Sequence, residues 1–348
     1  MNMPTDLLAR CAALLADAGI KASVQSLLPC NAGGNNRTYR LETSAGAFAV
    51  KQYFRHAGDT RDRLAAEFAF LVYAAKAAPA MAPAPLAMDA SSGMALYEFI
   101  EGEPYKTGEI TWQQVGSAAN FFNALNYPDA RREAATLPTA SEACFSITEH
   151  LTLIKARLER LRTIEVASDE DRAGQTLIEQ IHTRWLALSD QVIAAYRQIE
   201  RDPAASLEPA QRCISPSDFG FHNALAQPDG APRFLDFECA GWDDPGKMTC
   251  DFFAQLAIPV PDAYFDRFVK EACAPFPRSG ELAERARLLR PVYQVKWCCI
   301  ALNVFLPVNL ARRRFANPGL DEKALKQGQL AKAEALLQSI LPIKHGLH

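Results

Sequence analysis

The first hundred residues alternate between helical and strand-like spacing of their hydrophobic positions. Residues 4–18 predict an opening amphipathic helix, and residues 23–28 predict a strand. Residues 37–42 and 48–54 then predict the two strands of a hairpin, because the turn-forming residues 43–46 lie between them. We therefore expect a small sheet near the N-terminus.

One helix and one further strand complete this part of the chain. Apolar residues recur at helical spacing over residues 62–78. Prolines at positions 79, 83 and 85 end this helix and begin an extended segment, and residues 94–100 predict another strand. Because glycine and proline break the chain near 101–104, we divide it there into an N-terminal lobe, residues 1–101, and a C-terminal lobe, residues 102–348.

Most of the C-terminal lobe has the longer hydrophobic period of helices with charged outer faces. The predicted helices lie at 112–125, 147–161, 174–199, 246–257, 262–274, 280–304 and 321–340. Residues 213–237 instead predict short strands joined by loops. The apolar run 297–310 predicts a buried core helix, because it is too short for a membrane span and contains Asn and Pro. A mixed sheet lobe followed by a helical lobe is an α+β architecture.

The composition restricts the class of protein and its partners but does not indicate a function. The chain has 348 residues, 49% hydrophobic and 22% charged, with a net charge of −3. These values are typical of a two-lobed globular protein and favour neither nucleic acid nor an anionic membrane as a partner. Nine cysteines form no Cys-x-x-Cys pair, which favours free thiols in a reducing cytoplasm. We expect a cytoplasmic monomer or homodimer.

The strongest chemical signal lies between residues 215 and 251. Asp218 is followed five residues later by Asn223, and Asp236 comes thirteen residues after that. Phosphoryl transfer of the kinase type uses a carboxylate at the acceptor hydroxyl and oxygen ligands that hold Mg²⁺ on the nucleotide phosphates. The order predicts Asp218 as the catalytic base and Asn223 and Asp236 as metal ligands. One aspartate alone would more simply belong to a turn or a strand end.

Two residues of the N-terminal lobe extend this pattern. The pattern places the Lys51 side chain on the opposite face of its strand from Phe48 and Val50. Glu67 borders the buried stripe of the following helix. Alone, each is most simply a solvated surface charge. Together they predict an ion pair that directs the lysine at the nucleotide phosphates.

Other residues near the motif have plainer interpretations. Glu238 could approach the metal or point away along its strand. Asp243 and Asp244 are more simply helix caps, and we expect Asp251 to anchor the catalytic loop by accepting backbone hydrogen bonds. His222 is interpreted as a packing or hydrogen-bonding residue, since no nucleophilic Ser or Cys arrangement accompanies it.

With these residues in place, the chain resembles the aminoglycoside phosphotransferase and choline kinase family, which has the protein-kinase-like fold. The matching segments are Gly33-Gly34-x-Asn36-x-x-Tyr39, Phe48-Ala-Val-Lys51, Glu67, Ser217-Asp218-x-x-x-x-Asn223, and Leu235-Asp236-Phe-Glu-x-Ala-Gly241-x-x-Asp244-Pro245 with Asp251. As a fold, the resemblance implies a small N-lobe with an antiparallel sheet and a larger, mainly helical C-lobe.

The resemblance also implies a chemistry. It implies ATP or GTP as phosphoryl donor, Mg²⁺ as cofactor, and a hydroxyl of an aminoglycoside-, choline- or sugar-like small molecule as acceptor. Gly33, Gly34 and Asn36 would approach the phosphates, although a Gly-Gly pair is more often an ordinary turn. Residues 94–102 would form the hinge, where the backbone at Glu98 and Ile100 would bind the nucleotide base.

Two departures from the family pattern are visible. Pro216 stands where the family usually has the first histidine of the catalytic loop, and Gly220 stands where many relatives have a second one. These changes leave open a pseudokinase that binds nucleotide without turnover; a protein kinase is weaker, because no activation segment follows Asp236. Acceptor type also stays open between cationic and other small molecules. The candidate acceptor residues are Glu101, Trp242, Asp243, Asp244, Tyr293 and Trp297.

Overall fold

The N-terminal lobe is an antiparallel sheet with one helix on each face. The computed structural model describes residues 5–30, 36–55 and 61–340. The elements are helix α1 (Thr5–Asp17), strands β1 (Val24–Cys30), β2 (Arg37–Thr43) and β3 (Gly46–Gln52), helix α2 (Arg63–Ala77), and strands β4 (Pro85–Asp89) and β5 (Met94–Glu98). The five strands lie in the order β1-β2-β3-β5-β4, with every neighbouring pair antiparallel.

Strand β3 lies at the centre of this sheet and serves both of its faces. Successive side chains of a strand point to opposite faces. Val50 therefore enters the apolar core beneath α1, together with Leu14, Leu41 and Leu96. Lys51, the next residue, points to the other face and contacts Glu67 of α2. Because side chains of β3 alternate between the two faces of the sheet, one face forms the lobe's core and the other contributes Lys51 to the candidate site.

The C-terminal lobe is built on helices that surround one long central helix. Its helices are α3 (Trp112–Asn126), α4 (Pro128–Glu133), α5 (Ile147–Leu161), α6 (Asp169–Gln198), α7 (Pro245–Ala254), α8 (Phe265–Cys273), α9 (Ser279–Leu302), α10 (Pro307–Ala316) and α11 (Glu322–Ser339). Helix α9 packs against α5, α6, α7, α8 and α11. Apolar side chains between these helices form a core of their own.

Two small sheets hold the loops that contain the aspartates of the motif. Strands β6 (Glu103–Pro104), β8 (Ala224–Ala226) and β9 (Pro232–Phe234) form one sheet, and β7 (Cys213–Ser215) pairs with β10 (Gly241–Asp243) in the other. Asp218 follows β7 and Asp236 follows β9. The Leu235 amide donates to the Asn223 carbonyl over 2.8 Å, so the two loops lie side by side.

An aromatic core joins the two lobes. Phe70 of α2 stacks on Phe237 at a centroid distance of 4.7 Å, and Phe121 of α3 stacks on Phe234 at 5.1 Å. All four rings are almost fully buried in one continuous cluster. Because aromatic side chains bury large apolar areas, this cluster fixes α2 against the loop that contains Asp236.

The structure confirms most of the predicted elements and corrects several. The α+β architecture, the hairpin of β2 and β3, and the short strands after residue 213 are confirmed. Helix α6 begins at Asp169, not at 174, because Ser168 caps it by accepting from the Asp171 amide. Strand β4 lies in the segment predicted as extended, whereas strands β6 and β10 and helix α4 escaped prediction, since all three are short. The lobe boundary at residue 101 stays a prediction.

The predicted single helix over 297–310 is wrong. Helix α9 ends at Leu302, a 3-10 turn follows, and α10 starts at Pro307, whose ring cannot continue a helix from the preceding turn. Among the described helices, no single one is long and apolar enough to cross a membrane. The segments Ser279–Phe305 and Pro307–Ala316, bent by 75°, pass that test only as a pair and only by length and composition.

All nine cysteines lie within the described residues, and all are free thiols. Seven are buried, including the adjacent pair Cys298 and Cys299. Burial raises the pKa of the Cys299 thiol to about 12. These side chains therefore act as small apolar residues, as the sequence predicts.

A buried polar cluster links α5, α7 and α9. His150 Nδ1 lies 2.6 Å from the Tyr293 hydroxyl, and His150 Nε2 lies 3.0 Å from Asp244 Oδ2. Arg285 Nε donates to the same Asp244 oxygen over 2.6 Å. Burial, which outweighs the attraction of Asp244, lowers the pKa of His150 below its ordinary 6.5. The folded protein therefore holds this imidazole neutral near physiological pH.

Replacing His150 with glutamine tests this cluster. The lost buried hydrogen bonds are expected to cost about 1–3 kcal/mol of unfolding free energy at about pH 8. Because the folded-state pKa is lowered, the unfolded chain binds more protons below 6.5, and wild-type stability falls there. The difference between wild type and His150→Gln should therefore narrow toward about pH 5.5. Urea unfolding at both pH values measures it.

The matched control is His182→Gln, on the outer part of α6, where the imidazole is only partly buried. Its effect should be small at both pH values. A His150→Gln difference that stays constant or widens as pH falls would contradict the neutral, buried imidazole.

Candidate active site

Lys51 is the centre of a buried ion cluster between the lobes. Its Nζ donates to Glu67 Oε2 over 2.6 Å and to Asp236 Oδ1 over 2.5 Å. The Tyr53 hydroxyl donates to the same Glu67 oxygen over 2.6 Å, and the Phe237 amide donates to Glu67 Oε1 over 3.1 Å. Lys51 is thus held from a strand, a helix and a loop at once.

The electrostatics of this cluster follow from its burial. The Lys51 side chain is 10% exposed and that of Glu67 is 4% exposed. Burial alone would lower the pKa of Lys51, but the Asp236 and Glu67 carboxylates outweigh it and hold that pKa well above its ordinary value. The lysine therefore remains a cation despite its burial.

Three carboxylates meet beside this lysine. Oxygens of Glu67, Asp236 and Glu238 all lie within 4.8 Å of one another. Glu238 accepts from Asn36 Nδ2 over 2.6 Å and pairs with Arg63 Nη1 over 2.9 Å. Burial and the adjacent Asp236 charge raise the pKa of Glu238. Glu238 thus points toward the cluster, and a hard cation with oxygen ligands suits such a set.

The candidate catalytic loop is folded around Asp218. Asn223 Nδ2 donates to the Asp218 carbonyl over 2.9 Å, which closes the loop between them. His222 Nε2 lies 3.3 Å from Asp218 Oδ1. Burial alone would raise the pKa of the Asp218 carboxyl, but the His222 imidazole outweighs burial and lowers that pKa. The Asp218 side chain remains 41% exposed, and this exposed part faces an open cavity.

Both loops contain a residue with strained backbone. Within the described residues, six non-glycine residues have positive φ, among them Glu142 at 55°, Ser217 at 65° and Asp236 at 65°. Such conformations cost about 1–3 kcal/mol each, and surrounding contacts must hold them. Ser217 is held by the Ser215 hydroxyl, which accepts from the Ser217 amide over 3.0 Å. Strain of this kind is common where side chains must point in a functional direction.

The two departures from the family pattern, Pro216 and Gly220, have local consequences in the candidate catalytic loop. At Gly220, an added Cβ would lie 2.8 Å from His222 Nδ1, so the imidazole fills the space that a side chain at 220 would need. Pro216 is buried, beside the hydrogen bond from the Ser217 amide to Ser215. Side chains of Ser215 and Asn223 therefore brace this loop.

A cavity of about 520 Å³ opens beside Asp218. Ser217, Asp218 and Glu238 line one wall, and residues of α5, α9 and α10 line the others. Its charged lining residues are Arg63, Glu142, Arg157, Arg160, Asp218, Glu238, Asp251, Lys296 and Arg312. This volume is typical of a site for a small molecule.

The remaining predicted nucleotide residues lie at the lobe junction or outside the described residues. Glu98 ends β5, where its carboxylate accepts from Arg233 Nη1 and Nη2, each over 2.9 Å. Ile100 is buried two residues later. The base-binding role of this segment stays a prediction. Gly33 and Gly34 lie outside the described residues.

Several of the predicted acceptor residues lie elsewhere. Glu101 pairs with Arg40, Trp242 Nε1 donates to the Ala134 carbonyl, and Tyr293 belongs to the buried His150 cluster. Of the six candidates, Trp297 alone lines the cavity described above.

The three later aspartates have different roles from one another. Asp244 caps α7 by accepting from the Gly246 amide, as predicted. Asp243 instead pairs with Lys247 over 2.6 Å, and burial raises the pKa of its carboxyl to about 6. The role predicted for Asp251 is wrong: it accepts from Lys296 Nζ over 2.8 Å and from Trp297 Nε1 over 2.8 Å, which are side chains and not loop backbone.

Sequence reasoning missed Glu142, Arg157, Arg160 and Lys296 at the cavity. Arg157 and Arg160 are one turn apart on α5, a spacing that a charged helix face shows anywhere. No motif connects them to Asp218. Tertiary packing alone brings them to the same cavity.

Comparison with known proteins identifies a family. The model of the phosphotransferase enzyme family matches residues 26–278. None of the curated proteins compared with the chain matches its sequence.

Solved structures share the fold at low identity. A choline kinase from Cryptosporidium parvum is 14% identical with a TM-score of 0.57, the match covering 97% of each chain. A choline/ethanolamine kinase family protein from Mesorhizobium loti is 19% identical with a TM-score of 0.58, covering 97% of this chain and 96% of that one. A spectinomycin phosphotransferase in complex with ADP and spectinomycin is 11% identical with a TM-score of 0.55, covering 97% and 100%.

The coupling between Lys51 and Glu67 can be measured as stability. Lys51→Met leaves buried carboxylates without their cation and should cost about 3–5 kcal/mol of unfolding free energy. Adding Glu67→Gln should cost less than the sum of the two single changes, since glutamine needs no cation but can still accept from Phe237. Urea unfolding without nucleotide gives the double-mutant cycle.

The exposed pair Lys155 and Glu159, 3.9 Å apart, is the control for this cycle. Its coupling should stay below about 0.5 kcal/mol. Equal coupling in the two cycles would show that the Lys51 pair is no more than a surface contact.

Proposed function

The chain belongs to the phosphotransferase enzyme family, and we propose that it transfers the terminal phosphoryl group of ATP or GTP to a hydroxyl of a small molecule. One observation carries the proposal. Lys51, held by Glu67 and Asp236, lies on one side of the junction between the lobes. Asp218 opens into a small-molecule cavity on the other side. A donor site and an acceptor site would thus meet at one place.

On the donor side, Lys51 would hold the nucleotide phosphates. Glu67 fixes its direction, and the Tyr53 hydroxyl fixes Glu67 in turn. A strand lysine paired with a helix glutamate serves this purpose in kinases. The backbone at Glu98 and Ile100 would bind the base, and Asn36 would support the phosphate end through Glu238.

The residues present also suit Mg²⁺. Asp236 and Glu238 offer carboxylate oxygens close together. Asn223 uses its Nδ2 to hold the Asp218 carbonyl, so its Oδ1 is the atom that would meet a metal. In this setting Mg²⁺ would neutralise charge on the phosphate oxygens. Lys51, which contacts Asp236 in the structure, would then turn toward the phosphates.

On the acceptor side, Asp218 would orient the hydroxyl and receive its proton. The hydroxyl oxygen forms a bond to the terminal phosphorus, the bond from that phosphorus to the bridging oxygen breaks, and the nucleoside diphosphate leaves with the electron pair. His222 favours the ionised form of Asp218, which is the form a base needs. Asp218 would thus start the reaction ionised and able to accept the proton of the hydroxyl.

Two features favour turnover on a small molecule. Asp218, Asn223 and Asp236 are all present, and their loops are joined by hydrogen bonds, whereas a pseudokinase commonly lacks one of these residues. The cavity is surrounded by helices α5, α9 and α10, which suits a small acceptor better than a peptide. Choline, ethanolamine and spectinomycin in the names of structural neighbours are also small hydroxyl compounds.

Replacing Asp218 with asparagine is expected to remove turnover and keep nucleotide binding. The amide cannot take the proton, so the rate should fall by about 100-fold or more. The measurement is Mg²⁺-dependent nucleotide consumption with ATP and GTP against a panel of alcohols, amino alcohols, aminoglycosides and sugars. Nucleotide affinity of the same variant is measured by calorimetry.

Asp229→Asn is the matched control, because Asp229 lies in the turn after β8, outside the cavity lining. It should turn over at the wild-type rate. Undiminished turnover in Asp218→Asn would overturn the proposed base. Nucleotide binding without any transfer to a hydroxyl would favour the pseudokinase alternative.

A further inference from the structure

The acceptor cavity is lined by charged residues of both signs. Among the described residues that line it, four are acidic and five are basic. A cationic acceptor would need carboxylates that are available to it. The partners of each carboxylate therefore decide what the cavity can bind.

Three of the four carboxylates are already neutralised by cations of the cavity wall. Glu238 pairs with Arg63 over 2.9 Å, Glu142 with Arg157 over 2.5 Å, and Asp251 with Lys296 over 2.8 Å. The fourth is Asp218, which is already assigned to the acceptor hydroxyl. Few negative charges are thus left for an ammonium group.

The basic side of the cavity is less well satisfied. Arg157 donates only its Nη2 to Glu142, and its Nε and Nη1 are buried without a hydrogen-bond acceptor. Its side chain is 12% exposed. A buried guanidinium nitrogen without an acceptor costs free energy. An anionic group in the cavity, together with a small movement of this side chain, would remove that cost.

Arg160 adds a second positive charge one turn further along α5. Arg160 is exposed and lines the cavity, and its guanidinium makes no hydrogen bond and no ion pair with any described residue. Burial and the neighbouring Arg157 charge lower the pKa of Arg160. Two like charges on one helix face repel each other. A bound anion would relieve this repulsion and pair with both guanidinium groups.

Recognition of a cationic acceptor by aromatic rings has less support than the binding of an anionic one. Among the described residues that line the cavity, Trp297 is the only aromatic one, and its Nε1 is committed to Asp251. The rest of the lining includes the apolar residues Ile300, Leu306, Pro307 and Val308. A single ring does not enclose a quaternary ammonium group, whereas the apolar wall suits a carbon skeleton.

We infer that the acceptor is a hydroxylated acid, whose carboxylate or phosphate is bound by Arg157 and Arg160 while its hydroxyl meets Asp218. This inference deepens the proposed phosphotransferase function and rests on it for the role of Asp218. It selects an anionic acceptor class over the cationic one. The apolar wall formed by α9 and α10 would contact the carbon skeleton between the two polar ends.

The test compares acceptors that share a skeleton and differ in charge. One set is glycerate, the terminal phosphate ester of glycerol, glycerol and aminopropanediol; the other is glucuronate, the terminal phosphate ester of glucose, glucose and glucosamine. Binding to the wild-type protein with Mg²⁺ and ADP is measured by calorimetry. A charge-assisted hydrogen bond predicts that at least one acid binds about 10- to 100-fold tighter than its neutral counterpart. The carboxylate and phosphate members show which anion is preferred.

Arg160→Gln identifies the group responsible. It should remove the preference for the acid, raise KM for that acid more than it lowers kcat, and leave ADP affinity unchanged. Arg162→Gln is the matched control, since Arg162 directly follows the last residue of α5 but pairs with Glu179 outside the cavity. Loss of ADP affinity in Arg160→Gln would overturn the inference by assigning this arginine to the nucleotide.

The inference and the proposed function can fail separately. If acids bind no tighter than their neutral counterparts, or if aminopropanediol or glucosamine binds best, the inference is wrong, while Asp218-dependent transfer to those acceptors would keep the function. If an acid binds through Arg160 but receives no phosphoryl group in an Asp218-dependent way, the cavity assignment stands and the phosphotransferase proposal fails.

Discussion

The arrangement of the candidate site depends on keeping one buried lysine charged between two lobes. Burial alone would favour the neutral amine, and the carboxylates of Glu67 and Asp236 reverse that preference. Each partner comes from a different element, so the ion cluster also joins β3, α2 and the loop after β9. Removing the lysine would leave carboxylates together in a buried space, which is costlier than losing a surface pair. The ion cluster around Lys51 thus both directs the candidate site and holds these three elements together.

The apolar core supports this contact from below. Phe237 follows Asp236 directly and stacks on Phe70 of α2, three residues after Glu67. Packing of that ring pair sets the distance between the two carboxylates that Lys51 bridges. The positive φ of Asp236 is then held by packing on one side and by an ion pair on the other. Such doubly held residues have little freedom to reorient, which suits a site that must present charges in fixed directions.

Local pattern predicted most of the elements and the ion pair between Lys51 and Glu67. The alternation at Val50 and Lys51, and the position of Glu67 beside a buried stripe, are short-range signals, and the fold keeps both. The cavity beside Asp218 could not be predicted in this way, because the residues that line it come from separate parts of the sequence, among them Glu142, Asp218 and Lys296. Asp251 shows the same limit: we expected backbone partners for it, but helix α9 brings the side chains of Lys296 and Trp297 to it instead. Short segments such as β10 were missed because three residues are too few to show a hydrophobic periodicity.

Under the proposed function, Asp236 would hold Mg²⁺ when nucleotide binds, and Lys51 would leave Asp236 for the phosphates. The most direct measurement is the affinity for ATP with and without Mg²⁺, by calorimetry, in wild type and in Asp236→Asn. The account predicts that Mg²⁺ tightens ATP binding in wild type, and that Asp236→Asn loses most of this gain while binding metal-free ATP at least as well, because Lys51 no longer has to leave a carboxylate. An equal gain from Mg²⁺ in both proteins would contradict it.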